Sequence, residues 1–63
     1  MTAEEIKDAL LKKYPVRADG IEYKCVSAVI YRARNKKIEV SGELLDKCGN
    51  SVSIVPLDKI EKG

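Results

Sequence analysis

The hydrophobic and polar positions follow a helical period over the first part of the chain. Apolar residues recur at the spacing that places them on one helix face: Ile6, Ala9 and Leu10. Thr2 and Glu5 have the spacing of a capping box, in which each side chain accepts from the backbone N–H of the other residue. Because Pro15 disfavours the α conformation for the residue before it, the pattern predicts a helix over residues 3–13.

After the helix, the pattern changes to one that is typical of β-strands. Residues 16–20 predict a connection that ends in a turn. Residues 21–34 carry apolar side chains at both sets of alternate positions, as expected for a central or bent strand. Residues 37–46 alternate apolar and polar positions and predict a second strand with an acidic outer face. Residues 51–56 predict a third strand, which either ends at Pro56 or lies at the edge of the sheet, because proline cannot donate to a sheet ladder.

Short polar segments between these runs indicate turns. Asn35-Lys36 predicts a tight hairpin, since asparagine tolerates a positive φ, and residues 46–50 predict a second turn around Gly49. Gly42, inside the second strand, indicates either a bulge or a close approach by another part of the chain. Residues 57–60 predict one helical turn or a short return strand.

Together these elements predict one α+β domain over residues 1–63. The N-terminal helix is expected to pack across a three-stranded antiparallel β-meander, followed by a short C-terminal turn or strand. A chain of 63 residues is too short for a second core, and a domain of this size buries only about 60% of the surface of its unfolded chain.

The composition restricts the chemistry of the chain. It contains no histidine and two cysteines, which excludes Ser-His-Asp and Cys-His catalytic groups and four-ligand Cys/His zinc sites. We expect Cys25 to be a reduced core thiol and Cys48 to be a reduced thiol in a turn. Glu39 and Glu43 are too far apart along a strand for a glycosidase pair, and we expect them to pair with Arg32 or Arg34 on the neighbouring strand. The sequence therefore predicts no catalytic residue, cofactor or metal site, and no enzyme.

Positive charge is concentrated in the middle of the chain. The net charge is +2, but residues 15–37 carry six cations against two carboxylates. A compact patch is expected at the predicted hairpin: Tyr31, Arg32, Arg34, Lys36 and Lys37. Such a patch binds nucleic-acid phosphates, with Tyr31 as a stacking face, or binds another acidic partner. Alternatively, its charges are solvated and protect the sheet edge from pairing with other chains.

The sequence also bears on location and assembly. No apolar run reaches the length of a signal peptide or a membrane span, and the low cysteine count is typical of the cytoplasm, so we expect a cytoplasmic protein without membrane contact. We expect a monomer or a weak homodimer, because the apolar edge Val52–Ile54 is suited to accept a strand from another molecule.

Several segments resemble small uncharacterised bacterial proteins encoded on conjugative transposons and similar mobile elements. The resemblance covers most of residues 21–61 and is carried by Val26-Ser-Ala-Val-Ile-Tyr-Arg32, Glu43-Leu-Leu-Asp46, Gly49-Asn-Ser-Val52, and Pro56 with Ile60-Glu61. It implies a cytoplasmic bacterial protein without an assigned function, and it implies no catalytic residue.

Two functional hypotheses follow from these observations. The first is a small non-enzymatic interaction module, an accessory protein of a mobile element, that offers its hairpin and sheet edge to a protein partner. The alternative is weak nucleic-acid binding through the basic hairpin Arg32–Lys37.

Overall fold

One helix and six strands form the protein, with the strands arranged in two three-stranded antiparallel sheets. The structure is a computed structural model that describes residues 1–63. The predicted α+β class is confirmed. The elements in chain order are α1 (Ala3–Lys12), β1 (Val16–Ala18), β2 (Ile21–Tyr23), β3 (Cys25–Arg34), β4 (Lys37–Leu45), β5 (Val52–Pro56), a 3₁₀ turn (Leu57–Lys59) and β6 (Ile60–Lys62).

The capping box predicted from the sequence fixes the start of α1. The Glu5 N–H donates to Thr2 Oγ1 at 3.1 Å, and the Thr2 N–H donates to Glu5 Oε1 at 2.9 Å. The helix ends at Lys13, which adopts the left-handed conformation with φ 57° and donates its N–H to the Ala9 carbonyl. The predicted helix is thus confirmed; its last helical residue is Lys12, one before the end of the predicted range of 3–13, and Lys13 is the C-terminal cap.

The predicted connection over residues 16–20 is wrong, because its first half is strand β1. This strand is the centre of a small sheet with the order β2-β1-β6. Val16 and Ala18 are buried and Arg17 between them is exposed, which is the alternation of a strand with one face on a core. The expected turn joins β1 to β2, and both Asp19 and Gly20 have positive φ.

The long strand predicted over residues 21–34 is divided at Lys24. Residues before this point form β2 in the small sheet, whereas residues after it form β3 in a second sheet with the order β3-β4-β5. The Lys24 N–H donates to the Leu45 carbonyl at 2.8 Å, which holds the bend against β4. The predicted meander is confirmed for β3, β4 and β5, but the prediction that it forms the whole sheet is wrong.

The C-terminal segment contains both the helical turn and the short return strand that the sequence predicted as alternatives. After the 3₁₀ turn, β6 pairs antiparallel with β1, and Ile60 lies opposite Ala18. The Met1 ammonium group donates to the Ile60 carbonyl at 2.9 Å. The chain before α1 is thereby attached to the start of β6.

A single core connects the helix with both sheets. Its five largest fully buried side chains come from α1, β1, β3, β4 and β6, respectively: Ile6, Val16, Val26, Leu44 and Ile60. Gly42 lies where this core is tightest, because a Cβ atom there would be 2.7 Å from Ile6 Cδ1 and 2.8 Å from Ile60 Cδ1. Of the two interpretations of Gly42, close approach is therefore correct. The bulge lies in β3 instead, between Val26 and Ala28.

Both cysteines lie in the environments that the sequence predicted. Cys25 is buried and Cys48 is exposed in the turn after β4, and both are free thiols.

Candidate functional site: the β3–β4 hairpin tip

The far end of the β3–β4 hairpin projects from the core. All residues from Tyr31 to Glu39 are exposed, whereas both strands contain buried residues closer to the core. The molecule accordingly measures 36 × 20 × 19 Å along its principal axes. We call residues 31–39 the hairpin tip.

A two-residue turn forms the end of this tip. Arg34 and Lys37 are the last paired residues of the ladder, and the two residues between them both adopt positive φ, 50° at Asn35 and 62° at Lys36. Positive φ at both central residues defines the type I′ turn, whose twist matches that of the strands. The hairpin predicted at Asn35-Lys36 is therefore confirmed.

The two faces of the hairpin tip differ in chemistry. Residues paired across two strands share a face, and successive residues alternate between faces. One face carries the pairs Tyr31 with Val40 and Ala33 with Ile38, and the other carries the pairs Arg32 with Glu39 and Arg34 with Lys37. The tip is thus apolar on one side and mainly cationic on the other.

The apolar face of the tip continues the core face of the sheet. The next pair towards the core on that face is Val29 with Gly42, and Gly42 underlies the core residue Ile6. The apolar surface thus extends beyond the helix and ends in solvent. Tyr31 is 53% exposed and Ile38 is 72% exposed.

This arrangement divides the patch that the sequence predicted. Arg32, Arg34 and Lys37 share one face, and Lys36 lies in the turn beside them. Tyr31 lies on the opposite face, so it is not placed beside the cations as a stacking surface. Ile38 was not among the predicted site residues, although a two-residue turn at Asn35-Lys36 places it opposite Ala33 and therefore on the face of Tyr31.

The charges of the tip are only partly neutralised within the molecule. Glu39 lies 3.9 Å from Arg34 Nη1, and both side chains are exposed, so the pair contributes little to stability. Arg32, Lys36 and Lys37 form no ion pair, and residues 31–39 carry a net charge of +3. The expected pairing is confirmed for Glu39 but is wrong for Glu43, which accepts a hydrogen bond from Ser27 Oγ at 2.8 Å.

The backbone of the tip also has an unpaired edge. β3 pairs with β4 only, so its other side lies at the edge of the sheet. The closing pair of a two-residue hairpin is hydrogen-bonded, and hydrogen-bonding groups alternate along a strand. Arg34 and Arg32 therefore direct their backbone groups towards β4, whereas Ala33 and Tyr31 direct theirs away from it.

The surface has two shallow concavities, of which one reaches the hairpin tip at Glu39. One, of about 580 Å³, is beside the tip where β5 leaves β4 and includes Val40, Pro56 and Leu57 in its lining. The other, of about 390 Å³, lies between the β1–β2 turn and Lys59. No group of three or more His, Cys, Asp or Glu side chains is placed to hold a metal ion.

The pKa of one acidic group departs from its usual range, and this group lies in α1 rather than in the hairpin. The Glu5 carboxylate accepts a hydrogen bond from the Thr2 backbone N–H, which lowers the pKa of Glu5 most, and a hydrogen bond with the Thr2 side chain lowers it further. This shift belongs to the helix cap.

Comparisons with protein-family models, curated proteins and solved structures find no match to this chain. The mobile-element origin suggested by the resemblance therefore stays a prediction. No helix of the structure combines the length and the apolar character that crossing a membrane requires.

Proposed function

We propose that the protein is a non-catalytic binding module that recognises an extended segment of a partner protein at the hairpin tip. The observation that carries this proposal is the projection of residues 31–39 with an apolar face, a cationic face and an unpaired β3 edge. The predicted role as an accessory protein of a mobile element is compatible with this function and belongs to the same proposal.

The unpaired backbone of β3 supports binding by strand addition. In this mode an extended segment adds a strand to a sheet edge, and main-chain hydrogen bonds supply affinity. Tyr31 and Ala33 offer two N–H and two C=O groups on the exposed end of β3. A strand added there widens both faces of the hairpin tip.

The two faces specify the chemistry of the added strand. Its side chains alternate, so one set lies beside Tyr31 and Ala33, on the face that Ile38 continues on β4, and the other set lies beside Arg32 and Arg34. Apolar side chains suit the first face and carboxylates suit the second. The partner segment is therefore one that alternates acidic and apolar residues, and the net charge of +3 on the tip favours its approach.

A peptide titration tests this proposal directly. The probe is a short peptide that alternates glutamate and valine, and its control is a peptide of the same composition in which the glutamates form one block. In ¹⁵N-labelled protein, we expect the alternating peptide to shift the backbone amide resonances of Tyr31 and Ala33 most. Equal shifts with the blocked peptide, or shifts confined to another surface, would contradict the proposal.

Two charge variants with equal charge change separate the tip from the rest of the surface. The first replaces the four tip cations: R32Q, R34Q, K36Q and K37Q. The control replaces four exposed lysines that form no ion pair: K7Q, K13Q, K24Q and K59Q. We expect the first variant to lose peptide affinity at low salt and the control to lose much less. Equal losses would show general charge attraction rather than recognition by the tip.

Nucleic-acid binding is the second candidate function, and it is favoured by the common face of Arg32, Arg34 and Lys37. Each phosphate contact makes log K fall with log salt by a slope of about −0.9 on duplex DNA. If this function is correct, a DNA duplex binds at low salt and the slope decreases in the four-cation tip variant. Absence of binding at low salt, or an unchanged slope, would exclude it.

A further inference from the structure

β5 is an outer strand without charge. It lies at the end of the order β3-β4-β5, and the segment from Asn50 to Leu57 contains no charged residue. The other outer strands, β2, β3 and β6, all contain charged residues. Proteins usually protect such edges with charges, bulges or proline, and β5 has only Pro56, at its last position.

The unpaired backbone groups of β5 can be identified from the ladder beside it. The Asp46 N–H donates to the Ser51 carbonyl at 2.9 Å, so Ser51 directs its carbonyl towards β4. Because this direction alternates along a strand, Ser53 and Val55 also face β4. Val52 and Ile54 therefore direct their N–H and C=O groups away from the sheet.

The side chains of the same two residues lie on the outer face of the sheet. Val52 is paired with Leu45, and Ile54 is paired with Glu43, whereas the buried Val55 lies on the core face. Val52 is 50% exposed and Ile54 is 48% exposed. Leu45 continues this apolar surface from Val52, its paired residue, whereas Glu43 lies on the same face beside Ile54.

We propose that the partner for this edge is a second copy of the chain, bound through β5. Antiparallel pairing about a two-fold axis at Ser53 places Val52 opposite the partner's Ile54, and by symmetry Ile54 opposite the partner's Val52. These two pairs use every outward N–H and C=O group of Val52 and Ile54 in the two strands. Pro56 lies outside them, so its missing N–H leaves no gap.

Charge and symmetry favour a second copy over a partner of different chemistry. An isologous interface brings each residue near a copy of its own segment, so a charged edge would oppose like charges. β5 has no such charges, and its two exposed apolar residues are complementary to each other across the axis. The resulting six-stranded sheet has the order β3-β4-β5-β5-β4-β3. The free edge of β3 stays open in each of the two copies, so this inference is independent of the hairpin-tip proposal.

Mass and contact measurements on the intact protein test the pairing. We expect sedimentation velocity to show a shift from monomer towards dimer as concentration rises. In a mixed sample of labelled and unlabelled chains, we expect an intermolecular Hα–Hα contact at Ser53, because the two central residues form a non-hydrogen-bonded pair. A monomer at every accessible concentration, or a dimer without this contact, would overturn the inference.

Matched variants locate the interface. V52K/I54K places like charges on the edge and should abolish the dimer, whereas L11K introduces the same side chain at an exposed helix position and should leave it intact. I54T, which keeps a β-branched side chain at the edge, should weaken the dimer without disturbing the strand. A dimer of unchanged strength in I54T and V52K/I54K would overturn the inference.

Discussion

Gly42 determines how closely the helix and the C-terminal strand approach the sheet. The Cδ1 atoms of Ile6 and Ile60 occupy the space that a Cβ atom at position 42 would need. Both isoleucines are fully buried, so their side chains cannot turn out to solvent. A glycine in a strand ordinarily weakens it, but here it allows α1 and β6 to meet over β4.

We predict that Gly42→Ala lowers the free energy of unfolding by about 1–3 kcal/mol, as overpacked cores do. Urea denaturation measures this change. In the background Ile6→Val/Ile60→Val, which lacks both Cδ1 atoms, the same substitution should cost less. An equal cost in the two backgrounds would show that contact with these methyl groups is not the cause.

Glu5 gives the helix cap a predictable pH dependence. Hydrogen bonds from Thr2 lower the pKa of the Glu5 carboxyl in the folded state. The ionised carboxylate therefore stabilises the fold at pH values above the pKa that Glu5 has in the unfolded chain. This stabilisation is lost as the pH falls through the lower pKa that Glu5 has in the folded protein. We predict that wild type exceeds Glu5→Gln in stability at neutral pH and that the difference shrinks in acid. A difference that is constant with pH would contradict this assignment.

Both residues of the hairpin turn adopt the left-handed backbone conformation, although neither is a glycine. Asn35 tolerates this conformation, but Lys36 at φ 62° does so at an energetic cost. The register is nevertheless fixed, because a one-residue shift would move buried residues such as Leu44 off the core face.

We predict that Lys36→Gly stabilises the protein by up to about 1 kcal/mol, since glycine adopts positive φ without steric strain. Lys36→Gln is the matched control, because it removes the same charge but keeps a side chain. Thermal unfolding should rank the glycine variant above the glutamine variant. The opposite order would show that the turn is not strained at this position.

The elements that the sequence predicted are those whose signals are local. The capping box and Pro15 define α1, and Asn35-Lys36 defines the hairpin. β1 was missed because three residues are too few to show a period, and it is stable as a strand only between β2 and β6. The bend at Lys24 was also missed, because it depends on a hydrogen bond to Leu45, far along the chain.

The candidate site was predicted in position but not in arrangement. The sequence places Tyr31, Arg32 and Arg34 close together, and the structure places them all on the hairpin tip. Strand alternation separates Tyr31 from the arginines, so a cluster in sequence becomes two faces in space. The apolar face with Ile38 was missed, although the predicted turn at Asn35-Lys36 already implies that Ile38 lies opposite Ala33.

At the scale of the molecule, one core joins the helix with both sheets and leaves the hairpin tip outside. Ile6 of α1, Val16 of β1 and Leu44 of β4 are fully buried, whereas Tyr31 and Ile38 are mostly exposed. Substitutions at exposed positions usually change stability by no more than about 0.5 kcal/mol each. Tip residues are therefore available for binding at little cost to the fold.

We propose that the hairpin tip serves recognition rather than folding, and the variant Tyr31→Thr/Ile38→Thr separates these two roles. Threonine keeps the β preference of the strands and removes the apolar surface. The deciding measurement is the affinity of this variant for the alternating glutamate–valine peptide. It is made under conditions in which the unfolding curve of the variant shows that it is folded. We expect an affinity loss of about tenfold or more, because the variant removes the anchor Tyr31 and the apolar surface that Ile38 adds to the same face. An unchanged affinity would contradict it.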